Sequence, residues 1–414
     1  MEREEVRRLV ADAVRELRRG ASDEEPRGSQ VIALVNAILD TALAEEATDI
    51  HLEPVNGGLR IRMRVDGMLR ERPIRFPSEL APVIIARLKV MAGIDTAKRN
   101  RPQDGQIRYR SGNRPIDMRV AVLPVVDGER MVVRIMDARE CFLGCEELDF
   151  TARNQELFER LIHRPTGLLL LCGPMNSGKT TTLYAALSAL NEPSCHIMTL
   201  EDPVERRIDG ISQFQVNPEA GLTFVTGLRA ALRQDAQKIL LGEIRDRETA
   251  EMAVRIALTG HALFSTLHTE DTVSAVFRMI EMGVPSYLLA ATLSGVIAQR
   301  LVRRICPHCR EEYAVPVGVR EAVQLGELYH EGLYLVRGRG CTHCHGTGYR
   351  GRMAIHEVLP ISEPIRAAIL AGCDKESLRR AAVKDGMETL WQDGAAKACA
   401  GETTIAEVAR ALYG

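Results

Sequence analysis

LLLLCGPMNSGKTTTLYAAL, Leu168 to Leu187, decides the fold. Four leucines between Gly167 and Gly173 read as a short buried strand. Gly173, Pro174, Met175, Asn176, Ser177, Gly178, Lys179 and Thr180 fill the pattern GxxxxGK(S/T) at every position. Leu183, Ala186, Leu187 and Leu190 then recur at helical spacing. A strand, a glycine loop and a helix in that order make a phosphate cradle. The glycines let backbone N–H groups close around phosphate oxygens, and the helix N-terminus adds its positive dipole. Lys179 reaches the β- and γ-phosphates, Thr180 holds Mg²⁺ and Thr181 continues the turn, so the expected ligand is ATP with Mg²⁺. A phosphate cradle serves many unrelated activities, and the rest of the chain has to choose among them.

A loop of this kind needs an acidic partner at a strand end. The apolar run Lys238-Ile-Leu-Leu-Gly-Glu243 supplies Glu243, placed to polarise the attacking water or to assist Mg²⁺ through water; Asp246 beyond it reads as structural. A second acidic group, Glu201, Asp202 and Glu205, follows the apolar segment HIMTL and suits a metal or water site. A third segment, LTGHALFSTLHT from Leu258 to Thr269, sets His261 and His268 around a buried strand. Its polar end predicts a loop near the γ-phosphate.

Two CxxC pairs, Cys306/Cys309 and Cys341/Cys344, lie 31 residues apart. Two thiolates on each tight turn bind one edge of a tetrahedral Zn²⁺, and four thiolates leave no open position, so the expected site is structural. His308, His343 and His345 are possible substitute ligands. Cys141, Cys145, Cys172, Cys195, Cys373 and Cys399 show no ligand spacing and read as ordinary thiols.

Upstream, the spacing of Val6, Val10, Val14 and Leu17 predicts a short amphipathic helix before a polar linker, either a solvated tail or a docking helix. A second helical pattern covers 31–47. In LRIRMRV, Leu59 to Val65, three arginines alternate with Ile61, Met63 and Val65, which predicts a half-buried strand; Asp66-Gly67 follows as a hairpin turn. Further strands are expected in IDMRVAVLPV and ERMVVRIMD. The resulting division is 1–29 helix and linker, 30–137 a smaller α+β domain, 138–148 a hinge, and 149–414 an α/β domain with a parallel sheet. Within the last, 303–352 is the zinc subdomain and 353–414 the helical C-terminal part.

Bulk properties narrow the function. The 414 residues carry a net charge of −2 with 4% aromatics, which argues against a nucleic-acid partner. No apolar run reaches the length of a membrane span, and the charged N-terminus is no secretory signal, so a cytoplasmic location is expected.

Together, ATDIHLEP, RVDGML, the GKTTTLYAAL loop, TLEDPVE, GLTFVTGLRAALRQD, GEIRDRETA, ALTGHALFSTLHT, the paired cysteines with TGYRGR, and DGMETLWQDGAAKACAGETT resemble the GspE/PulE/PilB secretion and type IV pilus assembly ATPases. The resemblance runs from about Val31 to Gly414. It implies a homo-hexamer of RecA-like ATPase domains, each preceded by a smaller domain, with ATP bound between the two. It further implies an inner-membrane platform protein as partner and a place at the cytoplasmic face of the bacterial inner membrane. By position, Glu243 resembles the acidic Walker B residue, and Glu201, Asp202 and Glu205 the Asp box. His261 and His268 resemble the His box. Arg119 and Arg134 resemble arginines that the smaller domain sends to the phosphates, and Arg229 and Arg233 resemble arginines lining the site or a subunit interface. The four cysteines place the chain with assembly and secretion members rather than with retraction relatives.

The chain departs from the usual GPTGSGKT loop by Met175-Asn176, and from the usual Asp-Pro-Asp by Asp235-Ala236-Gln237. The large N-terminal domain that many members use to dock on membrane partners or to bind cyclic dinucleotide is not in this sequence, so the sequence does not fix the docking mode. Two rival readings follow: a nucleotide-binding scaffold subunit that does not hydrolyse, and a nucleic-acid translocase.

Overall fold

The alternation in Leu59–Val65 is borne out residue by residue in the computed structural model, which describes residues 3–19, 29–72, 76–136 and 143–413. Leu59, Ile61, Met63 and Val65 are buried, while Arg60, Arg62 and Arg64 lie on the half-exposed face. Asp66 and Gly67 both take positive φ, 50° and 77°, as a two-residue hairpin turn of matching twist requires.

The chain divides into two compact units, Met1–Glu140 and Cys141–Gly414. The first contains α1 (Arg3–Arg19), α2 (Ser29–Ala44), β1 (Asp49–Val55), β2 (Gly58–Val65), β3 (Met68–Glu71), α3 (Ala81–Met91), β4 (Gln103–Ser111), β5 (Arg114–Val125) and β6 (Gly128–Met136). Its strands form one antiparallel sheet in the order β3-β2-β1-β6-β5-β4. One face packs α2 and α3 around Leu34, Ile50, Leu52, Ile61, Ile84 and Leu88. Helix α1 is not a solvated tail: Val6 and Ala13 are buried in the same core, and Glu16 accepts from the Gln30 backbone N–H at 3.1 Å.

The second unit opens with α4 (Ala152–Ile162), β7 (Gly167–Cys172), α5 (Lys179–Ala189), β8 (Ile197–Glu201), β9 (Ser212–Gln215), α6 (Phe224–Ala231), β10 (Lys238–Leu241), α7 (Arg247–Leu258), β11 (Ala262–Leu267), α8 (Thr272–Glu281) and α9 (Ser286–Thr292). It continues through β12 (Leu293–Ile305), β13 (Arg310–Ala314), α10 (Arg320–Leu325), β14 (Tyr334–Gly338), β15 (Tyr349–Pro360), α11 (Glu363–Leu370), α12 (Lys375–Lys384), α13 (Leu390–Cys399) and α14 (Ile405–Tyr413). The central sheet runs β15-β12-β7-β11-β10-β8-β9, parallel except for the β12–β15 pair. Leu168 and Leu170 of β7 face one apolar core and Leu169 and Leu171 the other. Burial on both faces explains why the strand is a continuous apolar run with no alternation.

Residues 349–360 are a strand of this sheet, and the C-terminal helices begin only at Glu363. The segment MAIHEVLP, Met353 to Pro360, is buried up to Leu359, so it shows neither the alternation nor the polar face that would separate it from the helices. The expected hinge falls partly outside the described residues, as do Cys141 and the linker at 20–28.

Candidate nucleotide site and four-cysteine centre

Because β7, β11, β10 and β8 are parallel, their C-terminal ends share one edge of the sheet. The phosphate loop leaves β7 at that edge. Gly173 has φ 154° and Gly178 φ 87°, the latter as the N-cap of α5. A Cβ at Gly173 would come 2.6 Å from Ser177 Oγ, so a larger residue would fill the cradle. Ser177 Oγ is buried with no hydrogen-bond partner. A buried hydroxyl left unpaired is costly, and a phosphate oxygen supplies what it lacks. The loop therefore fits a nucleotide on its own geometry.

Lys179 is buried and donates to the carbonyls of Gly173 at 2.7 Å and Pro174 at 2.9 Å. Burial pushes its ammonium down to about 8, with Arg300 adding to the shift and Cys172 and Glu243 opposing it. Thr180 and Thr181 are exposed at the start of α5, as are Pro174 and Met175 in the loop.

Asn176 stands at φ 62°, a conformation in which glycine is unstrained and asparagine is tolerated better than other side chains. Asn176→Ala is expected to cost about 1 kcal/mol of loop conformation, weakening nucleotide binding roughly fivefold, whereas Asn176→Gly leaves it unchanged. Titration with a fluorescent ADP analogue checks this; equal affinities for the two variants would remove the backbone explanation.

Glu243 follows β10 at the same edge, and its field reaches Lys179. One carboxylate oxygen is held by Arg245, and the other lies 3.3 Å from His268 Nε2, just past β11. Burial alone would raise the Glu243 pKa, but Arg245 and His268 hold it below the usual carboxylate range. It is thus an anion at neutral pH, suited to orienting water or a cation.

Glu201 ends β8 at the same edge but is only 4% exposed. Tyr184 donates to one oxygen; Thr199 at 2.6 Å and Gln213 at 3.2 Å donate to the other. Its carboxylate is committed to bracing α5 against β8 and β9. Asp202 and Glu205 are exposed, and Asp202 lies 4.0 Å from Arg245.

The two histidines part company in the structure, and His261 lies away from the phosphate loop of its own chain. It precedes β11, and its carbonyl accepts from Gly167 N–H at the start of β7. In the parallel register, Ala262 pairs with Gly167 and Leu267 with Cys172. The whole strand, about 20 Å, separates His261 from the phosphate loop of its own chain. Only His268 lies at the loop's edge; strand polarity, invisible in the motif, decides which histidine does.

Arg229, on α6, pairs with Glu248 at 3.3 Å, and Arg233, just past the end of α6, donates to the Arg229 carbonyl at 2.8 Å; both are exposed. In the first unit, Arg119 and Arg134 face each other across β5 and β6. Arg134 Nε donates to Asp49 at 3.1 Å. Arg245, Tyr184, Thr199 and Gln213 escaped the sequence reading. Arg245 carried a signal, as a cation two residues past Glu243.

Cys306, Cys309, Cys341 and Cys344 bring their sulfurs within 4.8 Å of one another. Cys306–Cys341 is 3.9 Å, Cys309–Cys344 3.8 Å and Cys341–Cys344 3.7 Å. A tetrahedral ion with Zn–S bonds of about 2.3 Å sets its sulfurs ~3.8 Å apart, so the four residues fit the metal. Burial raises the Cys344 thiol, but N–H donors from Cys341 and Gly348, at 3.1 and 3.2 Å, outweigh it and bring the pKa to about 6. The rings of His308 and His343 stack at 4.0 Å beside the cluster, outside the four-sulfur set.

A phosphate loop after an inner strand of a largely parallel sheet, with an acid after the strand two places away, defines a P-loop nucleotide-binding protein. More narrowly, the chain belongs to the Type II/IV secretion system protein family, whose model matches residues 24–410. It is 43% identical over 388 residues to the type II secretion system ATPase E of Vibrio cholerae, covering 94% of this chain and 76% of the relative. It is 42% identical over 374 residues to the type IV pilus assembly ATPase PilB of Thermus thermophilus, covering 90% of this chain and 42% of the relative. Among solved structures, that of the pilus retraction motor PilT with bound ADP superposes with a TM-score of 0.61 at 25% identity, covering 90% of this chain and 95% of that one. Among the described residues no helix is long and apolar enough to cross a membrane.

Proposed function

We propose that this chain is a homo-hexameric motor that hydrolyses ATP to ADP and phosphate and drives an inner-membrane platform protein of a type II secretion or type IV pilus assembly machine. It works at the cytoplasmic face of the bacterial inner membrane. The observation that carries the reading is the edge of the sheet at which Lys179, Glu243 and His268 converge on a loop with a buried, unpaired hydroxyl. The family and the names of its relatives supply the machine.

In this reading Lys179 leaves its two carbonyls to meet the β- and γ-phosphates, and the N–H groups from Asn176 to Thr181 surround them. Thr180 holds Mg²⁺, which neutralises phosphate charge. Glu243, kept ionised, orients the attacking water. Glu201 acts at one remove by fixing α5 through Tyr184, and Glu205 lies beyond it on the surface. The resemblance also assigns Arg119 and Arg134, on β5 and β6, to the phosphates. An arginine on transferring phosphoryl charge accelerates by about 10³–10⁵. Zn²⁺ occupies the four-cysteine centre as a structural ion.

Phosphate release from ATP by the purified hexamer tests the proposal; a hexamer that binds ATP and releases none is a scaffold, and the motor reading is wrong. Proton linkage adds a second test. Below about pH 8 Lys179 is charged both free and bound, so affinity is flat for this group. Above it the free loop is neutral and binding takes up a proton, so affinity falls by up to about tenfold per pH unit. Calorimetry in buffers of different ionisation enthalpy should count almost no proton uptake at about pH 7 and nearly one at about pH 9. Uptake that is the same at both would exclude Lys179 as the titrating contact.

A further inference from the structure

Both glycines of the phosphate loop face one residue that no motif covers. In the parallel pairing of β12 with β7, Ala298 stands opposite Cys172, which sets Gln299 beside Gly173. Gln299 is 2% exposed. Its Nε2 donates to the Ser177 carbonyl at 2.9 Å, and its Oε1 accepts from Thr182 Oγ1 at 2.7 Å. A Cβ on Gly173 would come 2.5 Å from the Gln299 carbonyl oxygen, and one on Gly178 would come 2.7 Å from Gln299 Nε2. The glycines are therefore needed as much for the approach of this residue as for φ. The next residue, Arg300, donates to the carbonyls of Gln299 at 3.1 Å and Glu270 at 2.7 Å, tying β12 to the segment that follows His268.

We infer that Gln299 is a positioning residue for nucleotide binding, acting through the Ser177–Gly178 peptide. The peptide is planar and trans, so its C=O and N–H point in opposite directions. By holding the Ser177 carbonyl toward β12, the Gln299 amide turns the Gly178 N–H away from the strand and into the cradle. Its second bond, to Thr182, ties this peptide to the first turn of α5, where Lys179 and Thr180 stand. One side chain thus sets the aim of the loop relative to the helix that carries its charged groups. Without it the Ser177 carbonyl is free to rotate inward, where it opposes a phosphate oxygen.

The inference rests on the nucleotide-binding reading of the loop, and the test separates the two. The full chain is titrated with fluorescent ADP and Mg²⁺ as wild type, Gln299→Met, Gln299→Glu and Lys179→Ala. Gln299→Met keeps the side-chain length and removes both bonds; Gln299→Glu keeps the acceptor for Thr182 and loses the donor for Ser177. Both are expected to raise Kd about tenfold, and to raise KM for ATP more than they lower kcat. A residue that merely supports the core would lower the melting temperature of the ligand-free protein and leave Kd alone. Kd within about twofold of wild type for Gln299→Met, with binding lost in Lys179→Ala, overturns the role of Gln299 alone. Wild-type binding by Lys179→Ala overturns the loop reading and this inference with it. If Gln299→Met does not fold, Gln299→Glu decides by the same limit.

Discussion

Replacing Glu243 by glutamine is expected to lower the rate of phosphate release by about 10²–10⁴ while leaving ATP bound. The size follows from what is removed. Glutamine keeps the shape, and its amide oxygen still accepts from Arg245, so the fold at the end of β10 is preserved. The negative charge, however, is gone, and with it the capacity to polarise water. The surroundings show that charge is what the site maintains. Arg245 and His268 hold the carboxyl below its usual range even though burial works against them. A carboxylate of depressed pKa is a weak base but a dependable anion, so Glu243 orients and polarises more than it stores a proton. The nucleotide should bind at least as tightly to Glu243→Gln as to wild type, because an anion near the phosphates is removed. Equilibrium binding and single-turnover hydrolysis on the same preparation check both halves. A rate within about tenfold of wild type would move the water-positioning role to another group.

The parts of this site that were legible in the sequence are those where a local motif carries its own geometry. The run from Leu168 to Leu187 encodes strand, loop and helix contiguously, and the two CxxC turns encode a metal edge each. What escaped depends on which strand lies beside which, and in which direction. His261 and His268 look equivalent around an apolar strand, yet the parallel pairing of β11 with β7 puts them at opposite ends of the sheet. Glu201 belongs to a cluster of three acids in the sequence, but its strand ends under α5, where Tyr184, Thr199 and Gln213 enclose it. Gln299 lies 122 residues from Ser177, and no period or spacing links them. Its one trace was a polar Gln-Arg pair between the apolar stretches Val296–Ala298 and Leu301–Val302, which marks a buried polar group in need of partners. Strand β15 was missed for the opposite reason: unbroken burial from Met353 to Leu359 erased the alternation that identifies strands.

Removal of the metal from the four-cysteine centre should produce the largest loss of local structure in the chain. Structural zinc sites in isolated peptides contribute about 10–16 kcal/mol of apparent binding energy, which exceeds what so small a subdomain can gain from its own apolar contacts. Here the centre closes a loop that holds the two-stranded β13–β14 sheet, α10 and a single 3-10 turn. A second support exists: Val315, Leu325 and Leu335 pack on Ala395, Ala398 and Ile405 from the C-terminal helices. Metal loss should therefore unfold the cysteine turns and loosen the insertion without dissolving the central sheet. The purified protein is expected to contain about one equivalent of zinc, and Cys309→Ser or a strong chelator to abolish it. Limited proteolysis should then cut between Cys306 and Cys344, where the loaded protein resists. The nucleotide site should be spared, because Gln299 precedes Cys306 by seven residues, about 23 Å of extended strand, and β12 is held by β15 over that interval. Unchanged ADP affinity after zinc removal, with a protease-sensitive insertion, marks the ion as a brace for the insertion. Loss of ADP binding in step with zinc would instead show that the centre and the phosphate loop form one cooperative unit through β12.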